Sequence, residues 1–399
     1  MQRSVDLSDS IQDLAVAVDR RLIVLDATGA VIAYSIHETP RDRRRLSEVM
    51  AHSDSWPSAR FRDGLCRRRL EGLGPVLQVA LEDPRQVVGS VLVVLDSAGD
   101  DLTPDRLGVL IEQSTRLGPL VSLRGFYADQ DRLRAQQLLT ALVGPDPQRR
   151  SVAATALLDE QLLGRANRYC AVAVGSARPG DHSERTALAV RATVDYVSRT
   201  STASALGATV EDGVGILVFP RPVVVARLDA ILTGPGLDGT IAGIGPVVST
   251  MDEVWRSFER ARHAMRVQST TPERDTVVLR WEDLGIDRLL VQLPLDRIGL
   301  DDLPPGVAAI LTARSAQVLV PTLAAYLSTG GDAQAAARAL TIHRSTLYYR
   351  LDRIRQLVPG DLADGLVRRE LHTGLRVAEL AGLWPREPVP DGGARHTQS

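Results

Sequence analysis

The sequence predicts a multidomain protein in which two α/β domains precede an all-α domain at the C-terminal end. Three observations support this fold class. At 399 residues the chain is too long for one ordinary hydrophobic core, so two or three domains are expected. Strand-like and helical stretches alternate over roughly the first 284 residues, and helical spacing dominates from about residue 313 onward. The hydrophobic content of 44% and charged content of 24% are typical of a soluble globular protein.

The stretch from Ser328 to Val358 predicts two helices that meet at a tight turn. The glycine pair at 330–331 suits the left-handed end of a preceding helix, and Asp332 suits the N-cap of the next one. That helix is short, and its small inward-facing side chains permit close packing: Ala333, Ala336, Ala337 and Leu340. The dipeptide 341–342 then makes the turn.

A longer and basic helix begins at His343. Its apolar side chains recur at helical spacing, at Leu347, Leu351, Ile354 and Val358. Four arginines lie off that stripe, at positions 344, 350, 353 and 355, against a single acid, Asp352. A small-residue helix, a turn and a basic helix carrying Ser, Thr and Tyr are what a DNA-binding helix-turn-helix requires. Short Ala-rich helical hairpins also occur in many bundles, so the pattern alone leaves a purely structural role open.

The run HRSTLYYRL from His343 to Leu351 resembles the C-terminal helix-turn-helix of the PucR (purine-catabolism regulator) family. The pairs 353–354 (Arg-Ile) and 361–362 (Asp-Leu) extend the resemblance. The family usually has Asn where this chain has Ser345, so base preference at that position is expected to differ. The resemblance implies a sequence-specific DNA-binding transcription regulator whose partner is double-stranded operator or promoter DNA.

Both the resemblance and the position in the first turns of the second helix predict the DNA-contacting residues. The side chains expected at the major groove or its rim are His343, Arg344, Ser345, Thr346, Tyr348 and Tyr349. Arg350 and Arg353, further along the helix, are better placed for phosphates. Because the net charge of the whole chain is −2, nucleic-acid contact must come from a local basic surface.

The chain contains no lysine. This excludes a phosphate-binding P-loop, whose lysine reaches the β- and γ-phosphates, and any Schiff-base chemistry. The two cysteines, Cys66 and Cys170, do not suggest a disulfide framework and fit a reducing cytoplasm. The seven histidines show no metal-ligand spacing, so neither a metal nor a cofactor is expected.

Residues 1–115 predict an α+β domain with two hairpins flanked by helices, which resembles small-molecule sensor domains of the GAF/PAS type. Two arginine runs there, Arg41–Arg45 and Arg67–Arg69, either line an anion pocket or form a solvated face. Residues 116–163 predict a helical connector, which either continues into a dimeric coiled coil or packs on its own domain.

Residues 164–284 predict the order βαββαβαβ, which resembles the GGDEF-like domain of the same regulators and its ferredoxin-like, nucleotide-cyclase fold. A cyclase needs carboxylates on the first strand to hold two Mg²⁺ ions. The stretch Arg168–Gly175 has no acid, and only Glu211 and Asp212 occupy the central hairpin. We therefore expect a catalytically degenerate domain, and no enzyme. A signalling enzyme of the cyclase fold and a nucleotide-binding or protein-binding scaffold remain the alternatives.

Three further expectations complete the organisation. Residues 285–312, rich in Leu, Asp, Pro and Gly, predict a hinge into a DNA-binding domain at 313–384, and residues 385–399 predict a disordered tail. A single helix-turn-helix covers few base pairs, so we expect a homodimer or higher even oligomer, held by the N-terminal region and the following helix. The protein is expected in the cytoplasm, without a membrane segment, and under control of an unidentified small-molecule effector.

Overall fold

The computed structural model describes most of the chain, namely residues 7–35, 56, 59–70, 73–95, 97, 100–177, 184–200, 204–210, 213–270 and 276–384. Three stretches with sequence-based expectations lie outside the described residues: the arginine run 41–45, the acidic pair 211–212 and the C-terminal segment 385–399. The chain divides into two compact units, residues 1–137 and 138–399. Among the helices that the structure describes, none combines the length and apolar character needed to cross a bilayer.

The first unit contains a five-stranded antiparallel sheet. Helix α1 (Ser8–Val18) precedes the strands, which are β1 (Leu22–Asp26), β2 (Val31–Tyr34), β3 (Leu65–Leu70), β4 (Gly74–Glu82) and β5 (Val87–Val94). Their order across the sheet is β2-β1-β5-β4-β3. One face packs with α1 through a core that includes Ile11, Leu77 and Val91, and the other face buries Ile23 and Leu92. The mixed α/β character expected of this region is confirmed.

Helix α2 runs without interruption from Pro104 to Val143. The sequence predicted a closing helix for the first domain and a separate connector from residue 116, and the structure instead has one 40-residue helix through that boundary. Pro119 lies inside the helix, yet Leu117 and Val121 on either side of it are buried in the first core. Gly118 lies so close to the backbone of Glu82 on β4 that no side chain would fit there. Tertiary packing therefore carries the helix past a residue that usually ends one.

The end of α2 and the start of the next helix follow the sequence signals. The sequence Gly-Pro-Asp at 144–146 separates α2 from α3 (Pro147–Asp159). Asp146 is the N-cap of α3, and its carboxylate accepts hydrogen bonds from the backbone N–H groups of Gln148 and Arg149 at 2.9 and 3.3 Å. The proline at N1 has no N–H to satisfy, which suits the first helical turn.

The second unit contains a five-stranded mixed sheet with helices on both faces. In chain order its elements are β6 (Cys170–Ser176), α4 (Glu184–Thr200), β7 (Leu206–Thr209), β8 (Gly215–Phe219), α5 (Val225–Leu232), β9 (Thr240–Ile244), α6 (Val254–Ser269) and β10 (Val278–Arg280). This is the predicted βαββαβαβ order. The strands lie in the order β10-β9-β6-β8-β7, and β9 and β10 pair in parallel. Helices α4 and α5 cover one face, and α6 covers the other.

The glycines at 243 and 245 allow α6 to lie directly on the sheet. A Cβ at Gly243 would meet the backbone of Ala261, and one at Gly245 would meet the backbone of Ser257, both on α6. Because α6 lies so close to the sheet, the Ser257 hydroxyl can donate to the carbonyl of Pro246 and accept from the N–H of Ala171. This glycine pair therefore serves helix–strand packing.

The helical C-terminal region comprises α7 (Asp287–Leu290), α8 (Pro305–Leu311), α9 (Ala316–Ser328), α10 (Ala333–Ala339), α11 (Arg344–Leu357) and α12 (Gly365–Leu380). The predicted hinge at 285–312 is folded into α7, α8 and 3-10 turns between them. Its apolar side chains, including Val291, Leu295 and Leu303, are buried in one core with α6 and Trp281. The segment is therefore packed structure that joins the second sheet to the helical region.

Candidate nucleic-acid interface

Helices α9 to α12 hold the helix-turn-helix. Helix α10 is capped by Asp332, whose carboxylate accepts from the N–H groups of Gln334 and Ala335 at 2.8 and 3.1 Å. The expected small-residue packing is present, because Ala336 and Ala337 are buried. The apolar stripe of α11 is buried as well, at Leu347, Leu351, Ile354 and, just past its end, Val358. The opposite side of α11 is consequently the side available to a partner.

The two connections of the motif use left-handed backbone. Before α10, Gly330 and Gly331 have φ values of 69° and 90°, as the sequence predicts. Between α10 and α11, Thr341 has a φ of 52°, a region in which β-branched residues are rare. The backbone N–H of Ile342 donates to the carbonyl of Ala337 at 3.0 Å, which closes the turn. The turn is thus built on a residue poorly suited to it.

We expect Thr341→Asn to raise the free energy of unfolding of the second unit by about 1 kcal/mol, since left-handed backbone costs an ordinary residue roughly 1–2 kcal/mol and Asn tolerates it. Thr341 is exposed, so no buried contact is lost. Urea unfolding of the full chain measures the effect. The matched control is Thr373→Asn, at an exposed position inside α12, which should give no gain. Equal effects at both positions would contradict the strain argument.

His343 caps the N-terminus of α11. Its Nδ1 accepts from the backbone N–H of Ser345 at 3.3 Å and lies 2.7 Å from the Ser345 hydroxyl. A neutral imidazole that accepts at Nδ1 carries its proton at Nε2 and can donate there. His343, Ser345 and the neighbouring Arg344 and Thr346 are all exposed. The first turn of α11 therefore presents four polar side chains to solvent.

The aromatic pair on α11 is exposed too. Tyr349 is 68% exposed and Tyr348 is 44% exposed. The guanidinium carbon of Arg344 lies 5.8 Å from the centroid of the Tyr348 ring, within cation–π range. This contact lies along one side of the helix, since the two residues are one turn apart.

The two arginines predicted to contact phosphates differ in environment. Arg350 is half-buried, and its Nη1 donates to the hydroxyl of Thr322 on α9 at 3.4 Å. Arg353 is exposed and forms no ion pair among the described residues. Arg355 pairs with Asp352 on the same helix. Of these guanidinium groups, that of Arg353 is the one held by no neighbour in the described chain.

Sequence reasoning missed Arg368 on α12. Its guanidinium donates to the carbonyl of Gly330 at 2.9 Å and to that of Ala363 at 3.2 Å. It thereby joins the loop before α10 to the loop before α12. The partners lie in two separate loops and carry no sequence signature, so nothing in the local pattern could have indicated this role.

The charge of this region differs from that of the chain as a whole. Residues 313–384 contain nine arginines against six acidic residues, an excess of three positive charges in a chain of net charge −2. A local excess of this sign suits a nucleic-acid backbone. The basic character is thus concentrated in the segment that carries the motif.

The described residues give little support for a metal site or a reactive thiol. There, no group of three or more His, Cys, Asp or Glu side chains is arranged to hold a metal ion. Strand β6 carries no carboxylate, and its Cys170 thiol has its pKa raised to about 12, chiefly by burial. Such a thiol is not a nucleophile at neutral pH.

Residues 319–377 match the PucR C-terminal helix-turn-helix domain. The match runs from α9 into α12 and includes the whole of α10 and α11. The chain is also 27% identical over 136 residues to the proline-responsive transcriptional activator PutR of Bacillus subtilis strain 168. This similarity covers 33% of the chain and 33% of PutR, so the chain matches about a third of that regulator's length.

Solved structures show more distant likeness. A regulator of polyketide synthase expression from Bifidobacterium adolescentis is 18% identical, with a TM-score of 0.29, and the likeness covers 63% of this chain and 92% of that one. PelD from Pseudomonas aeruginosa PA14 is 15% identical with a TM-score of 0.18, covering 61% of this chain and 81% of that one.

Proposed function

We propose that the protein is a sequence-specific, DNA-binding transcription regulator of the PucR family. The observation that carries the proposal is the exposed first turn of α11, on a helix-turn-helix within the segment that matches the PucR domain. A buried apolar stripe fixes the helix, and its polar and basic side faces outward. The proposed partner is double-stranded operator DNA, and the proposed location is the cytoplasm.

The proposed groove contacts are the exposed side chains of the first turns of α11: His343, Arg344, Ser345, Thr346, Tyr348 and Tyr349. Arg344 and Thr346 extend from the first turn, and the His343 cap keeps the N–H end of the helix ordered. Arg353 is the proposed phosphate contact. Arg350, whose Nη1 donates to the Thr322 hydroxyl on α9 at 3.4 Å, is the second proposed phosphate contact.

Arg344→Ala is expected to cost about 1–3 kcal/mol of binding to the operator and to relax specificity at one base pair, as loss of a bidentate guanine contact would. Arg353→Ala should weaken binding about equally on all sequences and lower the salt slope by about one. Gel shifts on the DNA upstream of the chain's own gene, at several salt concentrations, measure both effects.

The matched control is Arg297→Ala, an exposed arginine outside the helix-turn-helix, which should bind like the parent. If the Arg344 and Arg353 variants also bind like the parent, α11 is not the recognition helix. Synthesis of a cyclic dinucleotide from GTP without any DNA shift would favour a signalling enzyme of the cyclase fold instead.

We propose further that a small molecule acts through residues 1–115, as a GAF/PAS-like sensor, and that residues 164–284 form a GGDEF-like domain without catalysis. The two hairpins and flanking helices of the first unit support the sensor. On one face of its sheet, the buried amide of Gln78 donates to the Ser90 hydroxyl at 2.6 Å, but its Oε1 has no partner. A buried amide oxygen left unpaired is costly, and a bound ligand would satisfy it.

A further inference from the structure

The middle of α2 is the part of the helix with the least contact to its own chain. Toward its start, Leu110, Leu117 and Val121 are buried in the first core, and toward its end Leu138 and Leu142 are buried in the second unit. Between them, every described side chain from 122 to 134 is exposed or half-buried. This stretch is about 20 Å of helix, at 1.5 Å per residue.

One face of α2 is the inward face along the part that belongs to the first unit. Ser114, Val121 and Ala135 are buried there, and Ala128, midway between the last two, is half-buried, so that these positions follow a repeat of seven residues. A spacing of seven residues returns to nearly the same side of an α-helix. The helix therefore has a defined outer face, on the side opposite this line.

The outer face carries apolar side chains at heptad spacing. Leu123, Phe126 and Leu133 are 41%, 56% and 61% exposed. With the exposed glutamines Gln130 and Gln137 they follow the alternating three-and-four spacing of the a and d positions of a coiled coil. Single exposed leucines are ordinary, but a seam of this spacing, opposite the buried line, indicates a helical partner.

We propose that this seam (residues 123, 126, 130, 133 and 137) binds the same seam of a second copy, as a parallel, in-register pair of helices. In this register Asp129 occupies position g and Arg134 position e. In a parallel pair, position g of one helix faces position e of the next heptad on the other, so Asp129 meets the partner's Arg134 twice by symmetry. An antiparallel pair would lose this attraction, because position g then faces position g, so that Asp129 meets either Asp129 or the uncharged Gln136 of the other helix.

Within one chain, Asp129 pairs with Arg132 at 3.0 Å, and both side chains are about 70% exposed. Such exposed pairs contribute at most about 1 kcal/mol, so the carboxylate can exchange its partner at little cost. The seam covers two heptads, fewer than the three or four that mark a self-sufficient coiled coil. The dimer is therefore expected to be reversible, with a dissociation constant in the micromolar range.

Cysteine cross-linking of the full chain tests the register. In a Cys66→Ser background, whose remaining Cys170 is buried, Gln130→Cys places a thiol on the seam and Asp131→Cys places one beside it. A disulfide requires Cα atoms about 4.4–6.8 Å apart. We expect rapid oxidation to a covalent dimer at 130 and at least tenfold slower oxidation at 131. Equal rates would overturn the proposed register.

Sedimentation at micromolar concentration tests the seam itself. Leu133→Asp should yield a folded monomer, whereas Leu188→Asp, at a comparably exposed leucine on α4, should leave the dimer unchanged. Asp129→Arg should raise the dissociation constant of the dimer roughly five-fold, and the added Arg134→Asp should restore it. A mass unaffected by Leu133→Asp would overturn the proposal.

The proposed dimer rests on the proposed function only for its purpose, which is to bring two helix-turn-helix motifs to paired half-sites of the DNA. The two ideas fail separately. If the seam variants change the mass but no α11 variant changes DNA binding, the dimer stands and the regulator proposal falls. If α11 variants weaken binding while the mass never responds to the seam, the regulator proposal stands and the seam is refuted.

Discussion

Replacing Arg376 with methionine is expected to lower the free energy of unfolding of the second unit by about 3–5 kcal/mol. The guanidinium of this α12 residue forms a bidentate pair with Asp287 at 3.0 and 2.6 Å. It also donates to Glu379 at 2.6 Å and to the hydroxyl of Thr270 at 3.2 Å. Burial alone would lower the pKa of Arg376, but these carboxylates outweigh burial and raise it. Without the arginine, both carboxylate oxygens of the buried Asp287 would lose the group that donates to them.

Urea unfolding followed by tryptophan fluorescence measures this loss, because three of the four tryptophans, at 255, 281 and 384, belong to the second unit. The control is Arg355→Met, which breaks an exposed pair with Asp352 and should cost less than about 1 kcal/mol. Arg376→Met combined with Asp287→Leu should recover much of the loss, because both charges are then removed. A loss below 1 kcal/mol for Arg376→Met alone would show that the pair is not a structural tie.

The helix-turn-helix could be predicted closely because its signals are local. Gly330, Gly331 and Asp332 mark a helix end and the next N-cap within three residues, and the structure places α10 directly after them. The apolar spacing of α11 likewise predicted its buried side. The order of elements in the second sheet also followed from local patterns. In each case the deciding interactions lie within one turn or one strand of the residue concerned.

The features that could not be predicted from the sequence depend on contacts between residues far apart along the chain. The sequence predicted a domain boundary near 115, but α2 runs through it, and the residues around that position are packed in the first core. The composition of 285–312 predicted a hinge. In the structure its leucines are buried against Trp281 and α6, and no local pattern in the segment indicates those contacts. The sequence did not indicate the contacts of Arg350 with Thr322 or of Arg376 with Asp287, because these partners lie 28 and 89 residues away along the chain.

One hydrophobic core of the second unit extends across the expected domain boundaries. Ala264 and Val267 on α6, Trp281, and the leucines of the predicted hinge share one cluster with α9 to α12. Arg266 on α6 adds a hydrogen bond from its Nε to the carbonyl of Leu380 at 3.0 Å and an ion pair with Asp296 at 2.8 Å. The helix-turn-helix is thus stabilised by residues as far back in the chain as Ala264 on α6.

For this reason a fragment of residues 313–384 is expected to lack a cooperative unfolding transition, whereas residues 138–384 should unfold cooperatively. The shorter fragment keeps α9 to α12 but loses Trp281, Leu295 and Leu303 from its core and Asp287 from Arg376. A domain of this size has a small hydrophobic core, so local packing cannot replace the buried contacts that are lost. Circular dichroism during heating of the two purified fragments gives the comparison.

The affinity for DNA should also increase with the length of the fragment. Fragment 313–384 is expected to bind the operator weakly and without response to an effector, fragment 138–384 to bind without response, and the full chain to bind most tightly and to respond. An effector changes affinity only by binding two arrangements of the chain unequally. Because apolar side chains of 285–312 are buried in one core with the helix-turn-helix, we expect this segment to move together with it. Cooperative unfolding of 313–384, or operator affinity and effector dependence equal to those of the full chain, would show that the helix-turn-helix is independent of the sheet that precedes it.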